Sequence, residues 1–263
     1  MTLPVVPESF RWVESSRGLV LKCDPLAPIA PHLFTTRNVS ISSPEEWKAV
    51  ADLIGAPDVV TLTQVHGKDV VTICRGGARP DARPNADAIV SNDATVAIAV
   101  RAADCVPLLL ADRKTGAVAA VHAGWRGTAA GAAAAAIGEL TRTCGVEPRH
   151  VVAAIGPSIG PCCYQVGSEL VDAFAAAGHP RHLIDRWFSV RSAGSGIRDR
   201  ESARLVLDVP GANRDQLVLA GVPEDQIYLS GLCTAEHLDV LTSYRVEKEQ
   251  AGRIAGVIRA RAG

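Results

Sequence analysis

Methionine occurs only at position 1, aromatic residues make up 4% of the 263 residues, and no CxxC pair is present. The single methionine leaves no axial sulfur for a blue-copper electron-transfer site, and the missing CxxC argues against a zinc ribbon or a thioredoxin-type redox site. No apolar run approaches the roughly 20 residues that cross a bilayer. Neither sign of charge is in excess: the formal net charge is −1, so nothing favours nucleic acid or an anionic membrane as partner. The opening "MTLPVVPESFRW" has neither a basic n-region nor an apolar h-region, and nothing in it suggests export. Seven scattered cysteines, an odd number, make a poor disulfide framework and fit reduced thiols, so a cytoplasmic protein is expected.

What is present is enough apolar residue, 48%, for a substantial core. "SPEEWKAVADLIG" carries a Ser/Pro/Glu start signal and predicts a helix over Ser43 to Ile54. "DVVTLTQV" and "DVVTIC" read as two strands flanking "HGK", a tight turn that carries His66. The apolar runs "ADAIV", "TVAIAV", "VPLLLAD" and "AVAAVH" follow as strands. "TAAGAAAAAIGELTRTCG" reads as one alanine-rich helix closed by glycine. Beyond it, "HVVAAIG" and "QIYLSGLC" are strands, "SELVDAFAAAG" and "DVPGANRDQLVLAGV" helices, and the tail "AGRIAGVIRA" a strand. "SAGSG" at Ser192 to Gly196 reads as a flexible loop. The pattern predicts one α/β or α+β layered domain over 1–263, with mixed sheets flanked by helices and two sheets packed together.

Three metal-ligating side chains occupy comparable places. His66 lies at a strand-to-strand turn, Cys105 just before a strand in "RAADCVPLLL", and His122 at the end of one in "VHAGWRG". Two imidazoles and a thiolate form a zinc set with a fourth position open, and a bound water whose pKa is lowered to about 7 would then attack an electrophilic carbon. The same residues suit metal-free chemistry, in which a Cys–His pair makes a nucleophilic thiolate and Arg126 lowers the thiol pKa further. Trp125 and Arg126 offer a flat apolar face and a donor fork for a ring and an anion. They fit equally a packed indole and a capped sheet edge. Arg37 in "FTTRNVS" is either a solvated charge or a second anion contact. Adjacent residues on an extended chain point to opposite faces, so at most one of Cys162 and Cys163 is expected to face a site, and both read as structural.

"TLTQVHGKDVV", "ADAIVSNDATVAIAVRAADCVPLLLAD", "AAVHAGWRGTAAG" and "AAIGPSIGPCCYQVG", in this order, resemble the laccase-domain family. Its members have been called polyphenol oxidases, purine nucleoside phosphorylases and peptidoglycan editing factors. The likeness runs from about Phe34 to the C-terminus and includes "LDVPGANRDQLVLAGV" and "SYR". It implies that His66, Cys105 and His122 form a catalytic centre that binds zinc rather than copper. It also implies phosphorolysis of adenosine, inosine and methylthioadenosine, with some adenosine deamination. Arg37 and Arg126 are then the expected phosphate contacts, with Gln64, Asp104 and Trp125 as further substrate contacts. His66 or His122 would assist departure of the base, and Asp104 would serve as proton shuttle in deamination. The partners implied are a small nucleoside and phosphate, bound by a monomer or weak homo-oligomer. The chain departs from the family where Asn38-Val39-Ser40 follows Arg37 in place of Gly-Gly-Val-Ser and a longer loop. It departs again at Gln165, usually Glu, and at Leu241-Thr242, usually Phe-Phe. Two rival readings remain: a Cys–His hydrolase of cell-wall peptide precursors, and a non-catalytic metal-binding protein.

Overall fold

The computed structural model describes residues 3–80, 82–191 and 204–261. The predicted "SAGSG" loop lies outside them. Three strands open the chain, β1 (Phe10–Ser15), β2 (Gly18–Cys23) and β3 (His32–Thr35), followed by helix α1 (Pro44–Asp52). Next come β4 (Val59–Thr61), β5 (Val70–Ile73), β6 (Ala88–Ser91), β7 (Ala97–Ala102), β8 (Val106–Asp112) and β9 (Val118–Ala123). Helices α2 (Trp125–Ala130) and α3 (Ala132–Cys144) precede β10 (Val151–Ile155), α4 (Glu169–Ala176) and α5 (Arg181–Trp187). The rest is β11 (Phe188–Arg191), β12 (Arg204–Leu207), α6 (Val209–Leu219), β13 (Ile227–Leu229), α7 (Tyr244–Glu247) and β14 (Ile254–Arg259).

The strands form two six-stranded mixed sheets, ordered β1-β2-β3-β14-β7-β4 and β13-β10-β8-β9-β6-β5, plus the hairpin β11-β12. Side-chain alternation along buried strands explains the layering. In β8, Leu109 and Ala111 face the first sheet, where they meet a core containing Phe34, Ile98, Val100 and Ile258. Leu108 and Leu110 point the other way, into a core closed by Ala133, Ile137 and Leu140 of α3 and by Phe174 and Trp187. On the far face of the first sheet, Trp47 and Val50 of α1 cover Val20, Leu33, Ala99 and Val257. The result is helix, sheet, sheet, helices: the α/β class and the packed pair of sheets expected from the pattern. Ser43 caps α1 in a capping box with Glu46, as its start signal requires.

Several local expectations are corrected. The strands flanking "HGK" do not pair with each other, because β4 belongs to the first sheet and β5 to the second. The turn carrying His66 is therefore a crossover between sheets. The alanine-rich segment is two helices, broken at Gly131, whose φ of +83° lies in the left-handed region. Helical propensity cannot carry the segment through a residue that ends α2 with an αL cap. Cys162 and Cys163 do not sit on extended chain either: the N–H groups of Cys163 and Tyr164 both donate to the Gly160 carbonyl at 3.0 Å, making a tight turn. The N-terminal strands, α5 and the β11-β12 hairpin were not anticipated.

A Cβ added at Gly131 would meet nothing within 4 Å, so only backbone strain opposes one. Gly131→Ala is expected to lower unfolding free energy by roughly 1–2 kcal/mol. Urea denaturation measures it, and an unchanged midpoint would contradict the break at this residue.

Candidate active site

The strand ends next to His66, Cys105 and His122 share one cause. The chain passes from the first sheet to the second twice near the same end, between β4 and β5 and between β7 and β8. His66 lies in the first crossover and Cys105 closes the second. His122 stands on β9, paired in the ladder with Pro107, two positions beyond Cys105. The three ligand atoms all lie within 4.8 Å of one another. The two imidazole rings meet edge to face, with centroids 5.0 Å apart.

Asp87 builds this corner. It has no exposed surface. Its Oδ1 accepts from His122 Nδ1 at 2.8 Å and from the His66 N–H at 3.0 Å. Its Oδ2 accepts from the Gly67 N–H at 2.6 Å and the Val65 N–H at 3.3 Å. The Asp87 carbonyl also accepts the His122 N–H at 2.7 Å. One carboxylate thus shapes the "VHG" turn and fixes the His122 tautomer, leaving Nε2 for a ligand. Sequence reasoning missed Asp87. Its only signal was an acidic residue standing at the start of the apolar run "ADAIV".

Two glycines of "VHAGWRG" are explained by close approach. A Cβ at Gly124 would lie 2.7 Å from Cys105 Sγ and 3.3 Å from His66 Cδ2. A Cβ at Gly127 would lie 3.0 Å from the Gly67 carbonyl oxygen. Only bare backbone lets the start of α2 lean against the crossover.

The electrostatics follow from this packing. Burial opposes the Asp87 charge, but hydrogen bonds from His122 and the backbone outweigh it and hold the carboxyl below its usual value. Burial likewise opposes a charged His122, yet Asp87 and then Cys105 raise it to about 9. Cys105 also loses hydration, but hydrogen bonds from His122 and His66 bring it down to about 6. At neutral pH the metal-free pair is a thiolate beside an imidazolium.

The donor set fits a borderline-soft cation. His66, Cys105 and His122 would hold such an ion, their ligand atoms already lying within 4.8 Å of one another. The open side faces a cavity of about 660 Å³ lined by Gln64, Arg101, Asp104, Tyr164, Tyr244, Arg245, Lys248 and Arg253 as well as the triad. Among the described residues, none of those four cations stands in an ion pair, and burial together with Arg83 and Arg253 lowers the Arg101 pKa. Four cations against the one carboxylate of Asp104 leave the cavity net positive, which favours anions. Three non-glycine residues, His66, Asp104 and Lys248, have φ of +62°, +86° and +55°. All three border this cavity, and backbone strain of this kind concentrates at functional sites.

The other expected contacts sort unevenly. Gln64 lines the cavity, but its amide is committed to the Arg101 backbone, donating to the carbonyl at 2.7 Å and accepting the N–H at 2.8 Å. Asp104 lines it too, with Oδ1 accepting from Thr234 at 2.6 Å and Oδ2 from the Arg245 N–H at 2.5 Å. Arg37 is not among the lining residues. Glu247 pairs with it at 2.9 Å, and the carbonyls of Leu238 and Leu241 take its other guanidinium nitrogen. Arg126 is also outside, stacked 4.4 Å over the Trp125 ring. Trp125 itself packs against the helix-side core. Arg126 is exposed and lies close enough to Tyr164 of the cavity to act on its hydroxyl. The cavity cations, Arg101, Arg245, Lys248 and Arg253, were not singled out by sequence, because an arginine's partners are invisible until the chain is folded.

Fold and site together define an α/β protein with an open His/Cys/His centre set in a cationic cleft. Residues 32–261 match the model of the multi-copper polyphenol oxidoreductase laccase family. The chain belongs to that family. It is 34% identical over 205 residues to the purine nucleoside phosphorylase YlmD of Geobacillus stearothermophilus, covering 76% of this chain and 71% of that one. It is 36% identical over 174 residues to adenosine deaminase RL5 from an unknown prokaryotic organism, covering 66% and 62%. The crystal structure of Bacillus licheniformis hypothetical protein YfiH superposes with a TM-score of 0.80 at 26% identity, covering 95% of this chain and 99% of that one. Among the described residues, no helix is long and apolar enough to cross a membrane.

Two outcomes are expected. Zinc affinity rises about tenfold per pH unit between pH 7 and 9, as His122 must shed its proton to ligate, and more steeply below about 6, where Cys105 is also protonated. A chelator competition across this range measures the slope, and a flat profile would refute the thiolate–imidazolium pair. Gly124→Ala loses metal affinity at least tenfold while circular dichroism is unchanged; retained affinity would mean that Cys105 and His66 tolerate the added methyl.

Proposed function

We propose that this chain is a purine nucleoside phosphorylase acting on adenosine, inosine and methylthioadenosine, with adenosine deamination as a side activity. The observation that carries the reading is the cleft itself: four cations with no ion pair among the described residues and two tyrosines around a His/Cys/His floor. Phosphate, an oxyanion, suits the forked guanidiniums of Arg101, Arg245 and Arg253 with Lys248 as a further charge. The purine suits the faces of Tyr164 and Tyr244. The name of the Geobacillus relative points the same way, and that of the deaminase relative to the side activity.

In phosphorolysis a phosphate oxygen forms a bond to C1′ of the ribose while the bond from C1′ to the purine nitrogen breaks. The guanidiniums orient the attacking oxygen and hold its charge. The departing nitrogen takes a proton. Burial and the neighbouring Cys105 push Tyr164 up to about 12, which keeps its hydroxyl a donor at neutral pH. His66 and His122 would be occupied as ligands when the centre holds zinc. Zinc at His66, Cys105 and His122 would supply Lewis acidity at the cavity floor. Asp104 keeps both oxygens hydrogen-bonded and in this reading positions the Arg245 segment.

One observation favours a second reading. Cys105, His122 and Asp87 stand in the order nucleophile, base and orienting carboxylate, the arrangement of a Cys–His hydrolase acting on peptide precursors without metal.

Product analysis separates the two. Purified protein of known zinc content is incubated with adenosine and phosphate beside Cys105→Ala. Adenine with ribose 1-phosphate, absent in the variant, is the expected result, and inosine would report deamination. Neither product above the variant's level overturns the nucleoside reading. Activity that survives zinc removal but not a thiol reagent would favour the hydrolase. Arg245→Ala and Arg101→Ala are each expected to raise KM for phosphate about tenfold, near 1.4 kcal/mol; an unchanged phosphate KM in both would remove these residues from the phosphate site.

A further inference from the structure

Behind the wall of the catalytic cleft lies a second thiol cluster. The sulfurs of Cys162, Cys163 and Cys233 all lie within 4.8 Å of one another, and none is in a disulfide. The tight turn at Gly160 brings the two adjacent thiols to the same side. Cys233 arrives from the segment after β13, bridged to Ser158, and is buried. The Gly160 N–H donates to Cys233 Sγ at 3.3 Å, a contact that stabilises negative charge on sulfur. A Cβ at Gly160 would lie 3.3 Å from Cys162 Sγ, so the turn is as close to the sulfurs as glycine permits. A cavity of about 480 Å³ opens beside them, bordered by Cys162, Cys233 and Glu236.

We propose that Cys162, Cys163 and Cys233 form a second metal site, for a thiophilic cation of the zinc or copper(I) class. Three convergent sulfurs, one already receiving a backbone hydrogen bond, select soft and borderline ions over magnesium or calcium. Binding releases the three thiol protons to solvent and changes no oxidation state. Glu236 borders the same cavity, and the three sulfurs leave a fourth position open to solvent. The site is separate from the His/Cys/His centre but leans on it. Cys163 precedes Tyr164 of the cleft, and Cys233 precedes Thr234, which holds Asp104 beside Cys105. An ion here would stiffen the wall against which substrate binds.

The test uses chelator-stripped, reduced Cys105→Ala protein, in which the first centre has lost its only sulfur, titrated anaerobically with cadmium. One equivalent per chain with thiolate-to-cadmium charge-transfer absorption is expected, together with protection of three thiols from a thiol reagent. Both signals are expected to vanish in the Cys105→Ala background on adding Cys233→Ser or Cys162→Ser. The latter residue is exposed, so its replacement keeps the test valid if the buried substitution unfolds the chain. Absence of the thiolate band, or its persistence in the Cys162→Ser protein, overturns the proposal.

Discussion

Asp87 is a carboxylate without exposed surface, surrounded by the N–H groups of Val65, His66 and Gly67 and by the imidazole of His122. Removing such a group from water is costly unless its oxygens are satisfied, and here each oxygen accepts two donors. The arrangement fixes several things together: the His66 turn takes its left-handed backbone, His122 presents the correct nitrogen, and Cys105 gains a cationic neighbour. Glycine at 124 and 127 completes the corner by letting backbone stand where side chains would collide. The depressed thiol and the raised imidazole are downstream of this one buried charge.

The cleft is built by a division of labour among polar groups. Gln64 Oε1 accepts the Arg101 N–H, Asp104 accepts from the Thr234 hydroxyl and the Arg245 N–H, and Glu247 accepts from Thr242, the Ser243 N–H and Arg37. The cations opposite them are left without carboxylate partners among the described residues. The fixed cations outnumber the Asp104 carboxylate in the cavity, which favours an anion there.

Much of this was legible in the sequence, for reasons that differ by residue. Apolar runs such as "VPLLLAD" announce strands because β8 is buried on both faces, and "SPEEW" announces α1 because its cap is local. His66, Cys105 and His122 were visible as metal-ligating types at turns and strand ends. What sequence did not carry was which strand joins which sheet, since β4 and β5 look alike in periodicity but lie in different layers. Asp87, Arg101 and Arg245 were hidden for the same reason, their partners lying 20 to 141 positions away. Arg37 and Arg126 drew attention by their motifs; Arg37 pairs with Glu247, and Arg126 lies exposed over the Trp125 ring. Gly131 shows the converse: a local signal was present, yet the alanine run on both sides masked it.

The crossovers that carry His66 and Cys105 join the two sheets, and the corner forms where they enter the second, beside β5, β6, β8 and β9. Its members are separated by long stretches of chain, and bringing them together requires loop closures that local helix or hairpin formation does not supply. The corner therefore depends on long-range closures rather than on any local element. A chain that has not made them has the three ligands but not their geometry, and so lacks the means to hold an ion tightly.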